Sequence, residues 1–386
     1  MRRLLNVLYR LFVLVSTLRR RGLGWGAVCG WLPLEFASRA WRVLARPVNA
    51  GLLGASSSAT RFRRFLAHEV SGPGCFFVIA MPRTLHYLMP SLDLLPGDLP
   101  VVIVGNGLRG WERRALARRH PRRPRFDLPV LPGTSQMHGP VLSLFLRCAE
   151  HDFGILDHDL YVFDSSLFAQ LAPGPDECAL AVFREVHRRL RLTYPETYFV
   201  YFNVRVMRSL MERYGIDARL YREPPASTRE RLRELGLGEG EYLKDYQGYF
   251  DTLCVLWSVA MAEGKHVRFL EGPAANSVWH VGGTSLGSPR TKDLDQLYVH
   301  ARFLALLDDR EIAVRSRELI RPFDSAEDIR GRMRPGTEAW RIAEEMDRLI
   351  PLLREALANR PGRSQPADAG GGDTTAGPHA PETGRA

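Results

Sequence analysis

The sequence predicts an α/β protein whose mostly parallel sheet is flanked by helices, with helical extensions at both ends. Three observations predict it. Short apolar runs that end in turn residues alternate with helix-length amphipathic stretches between residues 75 and 156, the pattern of strand–helix–strand units. The first 70 residues lack such runs and read as basic helix. From residue 293 onward, aspartate and arginine interleave along helical stretches, as on a solvated helix face.

Taken in order, "CFFVIAM" (75–81) is a compact apolar run closed by Pro82, and "LPVVIVGNG" (99–107) is a second. "RTLHYLMPSLDLL" between them suits a helix, as does "WERRALARRH" after the second run. A weaker third run, "RFDLPVLPG" (125–133), precedes the amphipathic "GPVLSLFLRCAEHD", and "FGILDHD" supplies a fourth strand. Farther along, residues 196–216 read as a strand running into a helix. Residues 248–272 read as a helix beginning at Asp251 and ending near Gly264, then a strand. "NSVWHVGGTSLGSPR" (276–290) is rich in Gly and Ser and reads as loop; "GASSSAT" reads as a loop or hinge closing the N-terminal helices. The tail from 360 has no large apolar residue and reads as disordered. The expected organisation is a basic helical segment at 1–70, a sheet domain at 71–292, a helical region at 293–359 and the tail at 360–386.

Net charge is +10 over 386 residues, but it is uneven. The first 125 residues hold 21 arginines, no lysine and 5 acidic residues, which points to an anionic partner such as lipid or nucleotide phosphate. Within residues 1–21, Leu4, Leu8, Leu11, Val15 and Leu18 share a helical face between arginine clusters. That segment reads as an interfacial membrane anchor or as a helix packed on the domain, and its apolar run is too short to span a bilayer. The five cysteines are scattered and form no CxxC pair, against a zinc site or disulfide framework. They fit a cytoplasmic protein, peripheral on the inner membrane face if the anchor reading holds. The basic "RRALARRHPRRPR" (113–125) has little aromatic interleaving, so no nucleic-acid partner is expected.

"GILDHDLYVFD" (154–164) is the candidate site. Asp157 and Asp159 follow a strand, and in such sheets ligands bind beyond the carboxyl ends of strands. Two carboxylates one residue apart repel unless something positive lies between them. The residues leave three answers open: a hard divalent cation, Mn²⁺ or Mg²⁺, with a diphosphate; a phosphohydrolase with Asp157 as nucleophile; or a polar turn.

"FVIAMPRT", "PVVIVGNG", "HGPVLSLFLRCAEHDFGILDHDLYVFD" and "FDTLCVLWSVAMAEG…WHVGGTS" together resemble GT-A-fold glycosyltransferases, nearest the family 2 type, over roughly residues 75–290. The resemblance implies a Rossmann-like GT-A sheet, a nucleotide-diphosphate sugar donor, a divalent metal and a glycan or lipid-linked acceptor. It makes Asp157 and Asp159 the D-x-D pair for metal and diphosphate, with His158 structural. Met81, Pro82 and Arg83 match the mouth of the nucleotide pocket, and Asn106 matches the turn after the second strand. His138 opens a helix that would face the diphosphate. Asp251 matches the general base of inverting members, although Phe250 stands where those members usually carry Glu. His280 would complete the metal site, and Arg290 is either a phosphate clamp or a surface arginine. Besides the phosphohydrolase there are two rivals: a nucleotidyltransferase, which would want a Gly-rich basic loop where "MPRTLHY" has no glycine, and a non-enzymatic basic protein that binds membrane or nucleic acid.

Overall fold

The computed structural model describes residues 15–359 except 20, 21, 23, 71, 73, 239 and 285–291. Most of the expected 1–21 anchor, the 360–386 tail and Arg290 therefore lie outside the described residues. Eleven strands are described: β1 (Cys75–Ala80), β2 (Val101–Gly105), β3 (Arg125–Asp127), β4 (Phe153–Leu156), β5 (Leu160–Val162), β6 (Glu177–Ala181), β7 (Arg184–Val186), β8 (Thr193–Pro195), β9 (Phe199–Phe202), β10 (His266–Phe269) and β11 (Val278–His280). Seven form one sheet in the order β10-β6-β9-β4-β1-β2-β3, in which only β9 runs against its neighbours. β5 pairs with β11 and β7 with β8, both antiparallel. This is the expected mostly parallel sheet with helices around it.

The unbroken apolar character of β1 follows from burial on both faces. Phe77 belongs to one core cluster, with Phe62, Phe145 and Phe153, whereas Phe76, Val78 and Ala80 belong to another, with Leu88, Leu92 and Phe199. Gly154 in β4 sits beside Phe76, and a Cβ there would come within 2.0 Å of the Phe76 ring. The strand that carries Asp157 at its end thus needs glycine at this position.

Four local expectations are corrected. "GASSSAT" is not a loop: Ala55 alone separates a helix at Trp25–Gly54 from one at Ser56–Glu69. The run 125–133 is a strand only to Asp127. The helix expected at Asp251 begins at Cys254, after Leu253 at φ 66°, and Asp251 precedes it in a turn. The stretch 276–290, read as loop, contains β11. Strands of three to five residues such as β5 to β8 and β11 are too short for periodicity to reveal.

The C-terminal helices, among them Leu294–Leu304 and Glu338–Ala358, form a third cluster against Tyr87 and Tyr161. Polar groups join this layer to the sheet domain. Buried His86 and His300 share a 2.7 Å hydrogen bond, and the Tyr87 hydroxyl lies 2.8 Å from His300 Nδ1. Burial, helped by nearby His158 and Lys292, lowers the His86 pKa to about 3. Burial likewise holds His300 well below its usual value.

A histidine depressed in the folded state leaves the unfolded chain binding more protons below pH 6.5. Stability present above that pH is therefore lost as pH falls toward 3. The expected slope between pH 6 and pH 4 is roughly 1.4 kcal/mol per pH unit for each histidine. Urea unfolding across that range checks it, and His86→Asn should make the slope shallower.

Candidate active site

At the end of β4, Asp157 N–H donates to Tyr198 O (2.9 Å), extending the β4–β9 ladder one residue past Leu156. Leu160 N–H then donates to Asp157 O, closing a turn that presents both carboxylates. The β5–β11 pair sets His280 opposite Leu160, and Val281 N–H donates to Asp159 O. His280 Nε2 consequently lies 3.3 Å from Asp159 Oδ1 and 3.6 Å from Asp157 Oδ2. One ligand atom from each of the three residues falls within 4.8 Å of the others. Tyr198 stacks on the His280 ring at 3.6 Å between centroids, which fixes the plane of the imidazole.

Asp159 is 2% exposed. Its Oδ2 accepts from Thr284 Oγ1 at 2.7 Å, and Thr284 also bonds His158 Nε2 at 2.8 Å. Its Oδ1 is buried and faces His280 Nε2 at 3.3 Å. Burial opposes ionisation of Asp159, but the positive environment of His158, His280 and Thr284 outweighs it and holds the carboxyl below its usual range. Burial alone would also depress His280, yet its hydrogen bonds and charge contacts with Asp157 and Asp159 raise its pKa to about 9. Two carboxylates, one of them almost wholly buried, and an imidazole on a common centre fit a divalent cation.

A cavity of about 540 Å³ opens beyond β1, β2 and β3 and reaches Thr284 and Lys292. Pro82 and Arg83 are among the residues that line it. Arg83 has φ 67°, a conformation unfavourable for a residue with a side chain by about 1 kcal/mol. Its N–H donates to Glu112 Oε1 (2.6 Å) while Arg109 N–H donates to Glu112 Oε2 (2.7 Å). One fully buried carboxylate thus ties the loops after β1 and β2 together. Asn106 has a different task from the expected donor contact. Its amide exchanges hydrogen bonds with the Gln136 backbone, at 3.1 Å to Gln136 O and 2.6 Å from Gln136 N, so both ends are used inside the protein. Next to it, Gly107 at φ +86° leaves no room for a Cβ, which would meet Thr134 O at 2.0 Å.

His138 opens the His138–Cys148 helix, half-buried, with burial lowering its pKa against the charges of nearby Asp157 and Asp251. The structure therefore brings Asp157, Asp159, His280, His138 and Asp251 to one region, with Pro82 and Arg83 lining the cavity. Sequence reading missed Tyr198, Thr284, Lys292 and the pair Glu196–Lys244. Lys244 Nζ binds both Glu196 oxygens at 3.0 Å and lies 3.7 Å from Asp251. Lys292 Nζ donates to Thr284 O at 3.1 Å, and burial lowers its pKa to about 8.

Residues 54–207 match the family model described as the StrH glycosyltransferase N-terminal domain. This stretch is a glycosyltransferase domain. It contains Pro82, Arg83, His138, Asp157 and Asp159, whereas Asp251 and His280 lie beyond it. Among solved structures, the galactosyltransferase LgtC, determined with donor and acceptor sugar analogues, is 13% identical over 69% of this chain and 99% of its own, with a TM-score of 0.33. A fragment of S. aureus TarS with UDP-GlcNAc is 12% identical over 74% of this chain and 88% of its own, with a TM-score of 0.28. No curated protein matches the chain in sequence.

Glu112 accepts two charge-assisted hydrogen bonds, from the backbone N–H groups of Arg83 and Arg109. Glu112→Ala is expected to cost roughly 2–4 kcal/mol, read as a lowered urea midpoint, with a larger loss of nucleotide binding than Arg83→Ala alone.

Proposed function

We propose that this chain transfers a glycosyl group from a nucleotide-diphosphate sugar to an acceptor hydroxyl, with a divalent cation held by Asp157, Asp159 and His280. One observation carries the reading: two acids and a histidine, their ligand atoms within 4.8 Å of one another, stand at the end of a central strand of a glycosyltransferase domain, beside an open cavity. When bound, the cation would neutralise charge on the departing diphosphate.

The chain's own residues supply the rest. Pro82 and Arg83 border the nucleotide, and Lys292 faces the phosphates from the inner end of the cavity. His138, kept neutral by burial, offers a ring N–H toward the diphosphate. As the bond between sugar and diphosphate breaks, the acceptor oxygen bonds to the anomeric carbon and its proton passes to the Asp251 carboxylate, which Lys244 holds in place. A glycan or a lipid-linked sugar on the cytoplasmic side of a membrane fits as acceptor. The catalytic unit on this reading is residues 71–292, with 1–70 and 293–359 as extensions.

Calorimetric titration with UDP, GDP, dTDP and CDP, with and without Mn²⁺, tests the donor half. The expected result is binding of one diphosphate that requires Mn²⁺ and disappears in Asp159→Ala. Absence of binding by all four overturns the reading. For the acceptor half, Asp251→Asn should lower kcat by about 10²–10⁴-fold while leaving diphosphate affinity within twofold of the parent. An unchanged kcat removes Asp251 from the mechanism.

A further inference from the structure

The Trp25–Gly54 helix is apolar on two sides. Val28, Ala45 and Leu53 are buried, whereas Trp25, Leu34, Phe36, Val43, Leu44 and Val48 are between 45% and 68% exposed. At 100° per residue those six sweep the half of the helix opposite the buried three. Among the described residues, eight of the thirteen exposed large hydrophobic side chains belong to this one helix. Scattered apolar residues need no explanation, but a concentration on one element marks an interaction surface.

Charge identifies the occupant. Residues 1–70 contain 12 arginines and 2 glutamates. Of the two, Glu35 is buried against Arg39 (2.9 Å) and Arg42 (3.3 Å). Arg46, Arg61, Arg63 and Arg64 are exposed on this helix and the next. A second copy docking face to face would crowd these arginines together, whereas anionic headgroups complement them. No described helix is long and apolar enough to cross a membrane, and this one carries Pro33 and Pro47 within it. An apolar face with cationic flanks is suited to lying in a bilayer surface.

We propose that the exposed face of the Trp25–Gly54 helix docks on a membrane surface rich in anionic lipid. The surface stands independently of the transferase reading, because nothing in it involves the donor cavity. It is also distinct from the 1–21 segment. If that segment were the whole contact, charges placed on this face would leave binding unchanged.

The test is flotation of the full chain with phosphatidylcholine vesicles, with and without phosphatidylglycerol, comparing the parent with Leu44→Glu/Val48→Glu. Both positions are exposed, so the variant should fold, and circular dichroism checks that. The expected result is salt-sensitive binding to the anionic vesicles, weakened about tenfold or more in the variant. Equal flotation of parent and variant overturns the proposal, as does absence of binding by the parent. If the parent does not float and sediments as a dimer that the variant dissociates, the face belongs to self-association and the proposal fails.

Discussion

Asp157 and Asp159 repel each other, and Asp159 is almost wholly out of water. Everything around the site answers that one unfavourable juxtaposition. An isolated buried carboxylate would normally take up a proton. Here the β5–β11 pair delivers a histidine between the two acids, Tyr198 fixes its ring, and Thr284 occupies one Asp159 oxygen. The other oxygen faces only that histidine, at 3.3 Å. A protein that needed only a stable turn would have no reason to bury a second acid there. The arrangement makes sense as a place for positive charge, which His280 supplies in the free protein and which a divalent cation would supply on the proposed reading.

The cavity next to this cluster depends on a second set of buried polar groups. Glu112 fixes the loops after β1 and β2 by their N–H groups, and Asn106 fixes the turn after β2 to Gln136. Asn49, on the N-terminal helix, continues the network: it binds Thr134 Oγ1 at 2.9 Å and accepts from Leu131 N–H at 2.8 Å. Gln136 Nε2 returns a bond to Asn49 O at 2.7 Å. The Trp25–Gly54 helix is thus joined to the cavity wall, to which it contributes Ser38 and Arg42. Its exposed apolar face and the cavity wall are joined through the hydrogen bonds of Asn49.

Much of this was legible in the sequence where local pattern and position agree. β1, β2 and β4 are near-continuous apolar runs because both faces are covered, and runs of that kind survive without knowledge of partners. The placement of Asp157 and Asp159 at a strand end followed from β4 alone. His280 was legible only through the family resemblance, since its approach to the acids depends on a three-residue strand pairing across more than a hundred residues. Asn106 shows the opposite failure. An Asn in a Gly-rich turn looks available for a ligand, and only the tertiary contact with Gln136 reveals that both ends of its amide are occupied. Asp251 was placed in the right region but on the wrong element, because Leu253 takes a left-handed conformation that delays the helix to Cys254.

One compositional signal carried more than its face value. The chain has 50 arginines and 3 lysines, a bias that by itself says nothing about chemistry. Of the three lysines, Lys265 pairs with Asp176 at the surface, and the other two are more enclosed. Lys244 serves as a point charge between Glu196 and Asp251, and Lys292 is nearly buried against the Gly283 and Thr284 carbonyls at the inner end of the cavity. An ammonium group fits such enclosed, multidirectional settings, whereas the planar fork of arginine favours one open direction. Two of the three lysines therefore mark the same site as the two aspartates, and they do so through size and geometry rather than through charge alone.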